Sequence, residues 1–489
     1  MYHISDIKKY KKCPRFYYLS KENEIEYIPF LRNDEALTEL VIKKLKIDNY
    51  FLGERGDEEK RVLDVIDDYE WYIKARFSYN GLRIKAPILH RVDDGFDVYF
   101  LLFALYPHEE DAEYYRYNLW VLENNNIKIR NIYVLHLNAN YVYQDQLDVD
   151  GLFVISDSFY NAKNQAISNI KDKIYQKDIV IDDVIKEIDI NSLETCMPHK
   201  SRMCKTKNMC NFYQLCFPNE EELEDDSILT LVSSRHKNKM YENGIRLLKD
   251  ADPNLIEGSR VQYAQIMASK LGGLYYDQYP LKTWLNKLAK RPLVFIDFEW
   301  ERYLVPQFKG LKPYDVVCFE YSIHELDCDG NLIHKDFIGT KDCRLDFIKS
   351  LLNDVPKDAI LVAYNAEGAE VLRIKELAAQ FKEFEDDLLD IANRFVDMSF
   401  PFLNGMIYHT KMRGNFSVKS LLNVVSDLNY KDLSINNGMD AVVKWRLIDR
   451  DTEQANLDVI KQDLLEYCSL DSYSLYLIYT WLCNLVTNL

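Results

Sequence analysis

Asp297 and Glu299 stand two residues apart near the end of the apolar run Pro292-Leu-Val-Phe-Ile-Asp-Phe-Glu-Trp300. On an extended strand, residues i and i+2 face the same side. Both carboxylates would therefore open onto one site, on a strand whose Val294, Phe295 and Ile296 read as core. Two like charges side by side are costly to desolvate unless a cation lies between them. An all-oxygen donor set of this kind suits Mg²⁺ or Mn²⁺. The same pattern also occurs on edge strands whose acids are merely solvated, so acids elsewhere in the chain must decide.

Two further groups carry that chemistry. The apolar strand Ala359–Tyr364 ends in Asn365-Ala-Glu367-Gly-Ala-Glu370, which opens a helix running to about Phe384. Glu367 and Glu370, at i and i+3, would share one face of its first turn, although acids also favour that end through the helix dipole. Near the C-terminus, Leu464-Leu-Glu-Tyr467-Cys-Ser-Leu-Asp471 places Tyr467 and Asp471 four apart on one helix face. Glu466 points elsewhere, and Cys468 reads as a packing residue. Asp397, in Arg394-Phe-Val-Asp-Met, reads as structural. Lys419 suits either a phosphate contact or an ion pair.

A different chemistry gathers earlier. Cys196, Cys204, Cys210 and Cys216 fall in one short segment rich in Lys and Arg. Clustered thiolates select Zn²⁺ or an iron–sulfur cluster. Four local cysteines are enough for zinc, while Cys13, in Cys13-Pro-Arg-Phe-Tyr, is a distant alternative ligand.

The elements that must position these groups follow from patterning. The chain has 489 residues, 47% hydrophobic and 28% charged, with room for two or three domains. No apolar run approaches the roughly 18 residues needed to span a bilayer, and Met1–Asp6 lacks a signal-peptide layout. These features predict a cytoplasmic protein without membrane contact. In a reducing compartment, ten cysteines argue for thiols or metal ligands rather than disulfides. A net charge of −17 excludes a uniformly basic coat and leaves room for a local basic groove.

Residues 5–20 predict a basic helix with Ser5 as N-cap and Cys13-Pro14 inside it. A helix at Glu35–Leu45, strands at Trp71–Tyr79, Leu82–Val92 and Phe96–Tyr106, a helix near Ala112–Glu123 and a strand at Ile129–Leu137 give an α/β order. An acidic run, Glu220–Asp226, reads as a solvated linker. Helical stretches at Ser227–Leu248, Leu255–Leu271 and Leu281–Ala289 form a connector. Asp315–Leu326 and His334–Thr340 alternate as strands around the turn at Cys328-Asp-Gly-Asn. The expected domains are 1–220, 221–290 and 291–489.

The front segment resembles RecB-like PD-(D/E)xK nucleases with an iron–sulfur clasp, a group that includes the CRISPR-associated spacer-acquisition nucleases. The resemblance rests on Cys13-Pro-Arg-Phe-Tyr and a late Cys-x5-Cys-x5-Cys. It implies that Cys13, Cys204, Cys210 and Cys216 hold a [4Fe–4S] cluster, Cys196 being spare, with Zn²⁺ as the alternative. The family's acidic and lysine positions fall here on Pro87, Phe103 and Leu105, and its helix Gln on Asn118. The implied domain is a degenerate nuclease that binds without cleaving. Lys8–Arg15 and Lys200–Lys207 would meet at the cluster as a phosphate-binding face.

The back segment resembles the DEDDy branch of the DnaQ-like 3′–5′ exonucleases, which have an RNase H-like fold. A bacterial family of unassigned function joins both kinds of domain. Its wording is matched by Phe295-Ile-Asp-Phe-Glu299, Ala363-Tyr-Asn365, Phe416-Ser-Val-Lys419-Ser, Asn429-Tyr-Lys-Asp-Leu433, Asn437-Gly-Met-Asp-Ala441 and Leu465-Glu-Tyr-Cys-Ser-Leu-Asp471. The resemblance implies that Asp297, Glu299, Glu370 and Asp471 hold two Mg²⁺ or Mn²⁺ ions, with Glu367 the alternative to Glu370, and that Tyr467 orients the attacking water. The implied activity is 3′–5′ hydrolysis of single-stranded DNA or RNA. The alternative is a non-catalytic nucleic-acid-binding or assembly subunit, with protein partners in a repair or CRISPR-related complex.

Overall fold

The computed structural model describes residues 1–23, 34–199, 204, 210–217, 224–290, 292–448 and 454–487. The expected basic stretch Lys200–Lys207, Cys204 apart, and the start of the acidic run Glu220–Asp226 lie outside them. The architecture is mixed α/β, and the chain divides into two compact units. Unit 1 comprises Met1–Glu221 and Leu304–Pro313; unit 2 comprises Glu222–Tyr303 and Tyr314–Leu489. No described helix is long and apolar enough to cross a membrane.

Unit 1 begins with β1 (Tyr2–His3), α1 (Ile4–Lys12) and α2 (Pro14–Glu22). The single helix expected over residues 5–20 is broken at Cys13, which takes an extended backbone (φ −167°, ψ 118°). Pro14 forces this, because its ring excludes the helical region for the residue before it. His3, not Ser5, is the N-cap: its ring accepts from the Ser5 amide, and Asp6 reaches back to the His3 N–H.

Six strands form the main sheet of this unit: β2 (Tyr50–Leu52), β3 (Trp71–Ile73), β6 (Ile88–Val92), β7 (Gly95–Leu102), β8 (Ile129–Leu137) and β9 (Phe153–Ser156), in the order β2-β3-β6-β7-β8-β9. The run expected at Trp71–Tyr79 splits at Lys74, which has a positive φ of 54°. The split leaves β4 (Arg76–Tyr79), which pairs with β5 (Leu82–Lys85) and through it with β1 in a separate three-stranded sheet. Helix α3 (Ala112–Asn124) is the crossover between the parallel strands β7 and β8, as a parallel connection requires. The core lies between it and the sheets, around Tyr72, Phe77, Ile84, Tyr117 and Leu119. A two-stranded hairpin, β10 (Ser158–Tyr160) with β11 (Ala166–Asn169), follows.

In unit 2, the stretch expected as a helical connector departs from that form. Ser227–Leu248 is mostly turns with one short helix, Lys237–Glu242. Helix α4 (Arg260–Lys270) is followed by a strand, β12 (Leu274–Tyr276), which pairs with β18 (Ile407–His409). Helix α5 (Gln278–Leu285) places Leu281 and Trp284 in the same core as Phe295 and Leu475. Burial of this apolar face, rather than helix length, holds the region to the sheet behind it.

That sheet is five-stranded: β13 (Leu293–Arg302), β14 (Val316–Leu326), β15 (Leu332–Ile338), β16 (Ile360–Ala363) and β17 (Phe395–Asp397), in the order β15-β14-β13-β16-β17. β13 pairs antiparallel with β14 and parallel with β16. Alternation along β13 divides two cores. Val294, Ile296 and Phe298 face α6 (Arg344–Asp354), α7 (Glu370–Gln380) and α8 (Glu385–Asn393). Leu293 and Phe295 face the opposite core with the long C-terminal helix α11, which follows α9 (Val418–Val425) and α10 (Gly438–Ile448) and spans Gln454–Thr487.

Candidate active site

Asp297 and Glu299 continue the α11 side of β13, where alternation carries them past Leu293 and Phe295. The seat of α11 on this face is fixed by named contacts. Phe295 packs edge-on and tilted against Tyr476 and Tyr479, with ring centroids 5.8 and 5.5 Å away. Ser472 Oγ lies 2.8 Å from Ser322 Oγ and 2.9 Å from His324 Nδ1 on β14. Cys468 is fully buried with its Sγ 3.8 Å from Asp297 Oδ2, the packing role expected of it. Asp471, one residue before Ser472, is thereby brought over β13. Carboxylate oxygens of Asp297, Glu299 and Asp471 lie within 4.8 Å of one another, a spacing that could hold a metal ion. Acids from β13 and from α11, far apart in the chain, thus meet.

Glu370 and Glu367 part company. Asn365 takes a left-handed conformation (φ 58°, ψ 40°), and a 3-10 turn, Ala366–Gly368, precedes the helix proper. Helix α7 starts at Glu370 itself, after Ala369 breaks the geometry, so the two acids do not share a helix face. Glu367 is 78% exposed and ion-paired with Lys375 at 3.7 Å. Glu370 is buried, accepts from the backbone of Phe298, and keeps one carboxylate oxygen without a hydrogen-bond partner among the described residues. Of the two, Glu370 belongs to the acid cluster. Asp397 is structural, as expected: one oxygen accepts the backbone N–H groups of Asn365 (2.9 Å) and Ser399 (2.8 Å), which pins the turn.

The tyrosines close the site. Tyr467 lies one turn before Asp471, buried, and hydrogen-bonds to it. Glu466 is exposed and bonded to Gln462, outside the site. Tyr430, not singled out in the sequence, donates its hydroxyl to Asp471 Oδ1 at 2.5 Å. Lys419 rests its ammonium over both rings, 4.5 Å from the Tyr430 centroid and 5.2 Å from that of Tyr467, and donates to Asn436 O. Gly438, the first residue of α10, neighbours Glu299: an added Cβ would stand in ordinary contact with its Oε2, at 3.4 Å. The sequence carried Tyr430 and Gly438 as motif wording without roles, and left Lys419 between a phosphate contact and an ion pair.

A fifth carboxyl was missed altogether. Glu320 faces Glu299 across the β13–β14 register, is fully buried, and has neither oxygen hydrogen-bonded among the described residues. Only the pairing register, invisible in a single strand's sequence, reveals it.

A family described as a domain of unknown function (DUF2779) matches residues 294–417. No curated protein and no solved structure matches the chain. The matched span takes in Asp297, Glu299 and Glu370 and stops short of Lys419, Tyr467 and Asp471.

Burial and mutual repulsion raise the hold of the clustered carboxyls on their protons. Burial, then Asp471, Glu370 and Glu299, push Asp297 well above the usual carboxylate range. Glu299 is raised to about 8 by burial and Asp471, with Lys419 opposing. Burial raises Glu370 to about 8 and Asp471 to about 6, the latter held back by Tyr430, Lys419 and Tyr467. Glu320 is pushed up by burial and Glu299. Burial and Asp471 push the Tyr467 hydroxyl up too, so it stays protonated and acts as a donor, not a base.

The sign of the pH dependence follows. Carboxyls raised above their unfolded values near 4 hold protons more tightly when folded, so the stability they lend is complete at low pH and is lost as pH rises to about 8. In EDTA, the melting temperature of unit 2 should fall between about pH 5 and 8.5. Stabilisation by Mn²⁺ should grow over the same interval, since protons and ions compete for the same oxygens. Scanning calorimetry at several pH values reads both. A pH-independent response to Mn²⁺ would place the ion elsewhere.

Unit 1 places its expected residues differently. Cys13, Cys210 and Cys216 all pack against Phe16, Leu19 and Phe212. Burial raises the Cys216 thiol, with Arg15 opposing and Cys210 and Cys13 adding to the rise. Cys204 Sγ lies 3.8 Å from His199 O, and Arg15 Nη1 donates to Cys196 O at 2.9 Å. Three of the four expected ligands therefore share one small apolar cluster, and among the described residues their sulfurs are not gathered within 4.8 Å of one another as the acids of unit 2 are.

Pro87, Phe103 and Asn118 do line one cavity, of about 250 Å³, and no acid lines it. Of the expected basic face, the Lys200–Lys207 half lies outside the described residues apart from Cys204, and the Lys8–Arg15 half keeps Lys8, Lys11 and Lys12 exposed. Lys8 lies over the Tyr114 ring (4.1 Å), Lys11 pairs with Glu113, and Arg15 Nη1 is taken up by the carbonyls of Leu193 and Cys196. Among these contacts only that of Lys11 with Glu113 brings an opposing charge; the aromatic ring and the carbonyls orient Lys8 and Arg15 without neutralising them.

Proposed function

We propose that unit 2 is a metal-dependent 3′–5′ exonuclease acting on single-stranded DNA or RNA, and that unit 1 holds the strand without cleaving it. The observation that carries this reading is the gathering of Asp297, Glu299 and Asp471 within 4.8 Å, with Glu370 beside them. The hairpin that follows the acid-bearing strand, within the order β15-β14-β13-β16-β17, supports the RNase H-like resemblance. Asp297, Glu299, Glu370 and Asp471 would hold Mg²⁺ or Mn²⁺. Two such ions would supply an activated water and charge stabilisation on the leaving oxygen of a phosphodiester. Tyr467 would position that water through its protonated hydroxyl. Tyr430 would fix the rotamer of Asp471, and Lys419, propped on two aromatic rings, would meet a phosphate oxygen of the strand.

Incubation of 3′- and 5′-labelled oligonucleotides of DNA and RNA with Mg²⁺ or Mn²⁺ tests the reading. The expected product is a ladder from the 5′-labelled strand, shortening stepwise from the 3′ end, and none in EDTA. A protein that binds Mn²⁺ and leaves both labels intact would defeat it.

For unit 1 the proposal is a [4Fe–4S] cluster on Cys13, Cys204, Cys210 and Cys216, joining the α1–α2 corner to the end of the unit. Protein purified without oxygen should carry iron and acid-labile sulfide in equal amounts, and Cys13→Ser should remove both. Zinc in place of iron would assign the alternative metal.

A further inference from the structure

A second cleft in unit 1, of about 360 Å³, opens beside the outer face of the β1-β5-β4 sheet. Alternation along β5 buries Leu82 and Ile84 and turns Arg83 and Lys85 outward. Register then assembles the lining: Arg83 stands opposite Ser78 and His3, and Lys85 opposite Arg76, so Arg76 and Arg83 lie diagonally on one face. Arg55 comes from the turn before Gly56 and completes a trio of guanidinium groups around the cleft.

The two acids of the cleft are already engaged. Asp6 accepts the His3 N–H and Lys21 Nζ, both at 3.0 Å. Asp57 accepts the Glu54 N–H at 2.7 Å and pairs with Arg61. Arg76 donates to a backbone carbonyl, Glu54 O, at 3.2 Å. Among the described residues, no carboxylate forms an ion pair with Arg55, Arg76 or Arg83. Burial first, then Arg83 and Arg55, lower the hold of Arg76 on its proton, with Asp57 opposing. Asp57 is the one carboxylate of the cleft that acts on Arg76, and its own ion pair is with Arg61, so three guanidinium groups share the cleft without a salt bridge among the described residues.

Guanidinium presents a planar fork of donors that matches phosphate in bidentate fashion. A carboxylate would bring one charge and two oxygens to three such forks. A phosphomonoester brings nearly two charges and three terminal oxygens. His3 adds a donor: its Nδ1 accepts the Ser5 N–H at 3.2 Å, which leaves the ring hydrogen on Nε2. We propose that this cleft binds a phosphomonoester, the end phosphate of a nucleic-acid strand. The choice of a strand as its source rests on the exonuclease reading; the phosphate chemistry does not.

The test measures binding in EDTA, where no cleavage occurs. An internally fluorescent oligonucleotide carrying a 5′-phosphate, a 3′-phosphate or neither is titrated with the full chain and followed by anisotropy. One end-phosphorylated strand should bind about tenfold tighter than the unphosphorylated one, the equivalent of roughly 1.4 kcal/mol. Arg55→Ala combined with Arg83→Ala should erase that preference while leaving the melting temperature unchanged, since both side chains are exposed. Inorganic phosphate and a nucleoside 5′-monophosphate are the competing arms. A monophosphate that displaces the strand at equal concentration would assign the cleft to free nucleotides, within the same phosphate chemistry. Equal binding of all three strands, or a preference that survives the double substitution, would overturn the proposal. Loss of the cleavage ladder with the end preference intact would defeat the exonuclease reading and leave the cleft standing.

Discussion

Asp297→Asn is expected to lower oligonucleotide hydrolysis on the order of a thousandfold, the equivalent of roughly 4 kcal/mol of barrier. Asp297 shares the triad with Glu299 and Asp471 and answers to more neighbouring carboxyls than either of them. An amide in its place keeps the volume and removes the charge that two ions would share. The same substitution should act on stability with the opposite sign. Without ions, Asp297 is one of several buried groups that must be desolvated or protonated, so the Asp297→Asn variant in EDTA should melt higher than the parent at pH 8. Manganese electron paramagnetic resonance and calorimetry read the two effects on one sample. Undiminished Mn²⁺ binding by the variant would remove the acid cluster from the mechanism.

Trp445→Ala is expected to destabilise unit 2 by about 3–5 kcal/mol, the usual range for deleting a large buried aromatic. Trp445 is 4% exposed, stacks on Phe319 with centroids 4.5 Å apart, and donates its indole N–H to Gly339 O at 2.8 Å. Its neighbours complete the clamp on α10: Arg446 pairs with the buried Glu301, and Lys444 with Asp463 on α11 at 3.0 Å. The N-terminal residue of α10, Gly438, is the one that approaches Glu299. Loosening the far end should therefore weaken Mn²⁺ binding as well as lower the melting temperature. Leu447→Ala, on the exposed side of the same helix (39% exposed), should change stability by no more than about 0.5 kcal/mol. Equal effects of the two substitutions would show that the clamp does not hold the helix.

The acid site was legible in the sequence to the extent that it depends on local periodicity. A two-residue spacing on a strand and a four-residue spacing on a helix determine which side chains share a face, and those rules pair Asp297 with Glu299 and Tyr467 with Asp471. Glu370 was legible only as one of two acids. The choice against Glu367 depends on a left-handed Asn365 and a 3-10 turn that delay the helix by a few residues. Tyr430, Lys419 and Gly438 stood in quoted motifs, but nothing in a linear motif says that a tyrosine 41 positions before Asp471 will bond to it.

In unit 1, charge was the least readable property. Lys8, Lys11 and Arg15 read as equivalent in the sequence, yet α3 gives Lys8 a tyrosine ring and Lys11 a carboxylate while the Leu193–Cys196 turn gives Arg15 carbonyls. Arg76 and Arg83 become diagonal neighbours only through the pairing of β4 with β5, and Arg55 joins them from a turn that reaches the same cleft. A charge's partners are decided by distance in space, which sequence separation does not report.

What the sequence determined by itself was the inventory and its facing: two carboxylates on one side of a strand, a tyrosine and an aspartate on one side of a helix, and thiols grouped where a soft metal could bind. Alternation and helical pitch are properties of the backbone, so they can be read from residue order. What only the tertiary structure decided was which facings meet. The strand register set Glu320 opposite Glu299, the seat of Ser472 on Ser322 and His324 carried Asp471 over β13, and the α10 clamp brought Gly438 to Glu299. Those meetings depend on packing between segments far apart in the chain, where contact energies rather than local conformational preferences choose the arrangement.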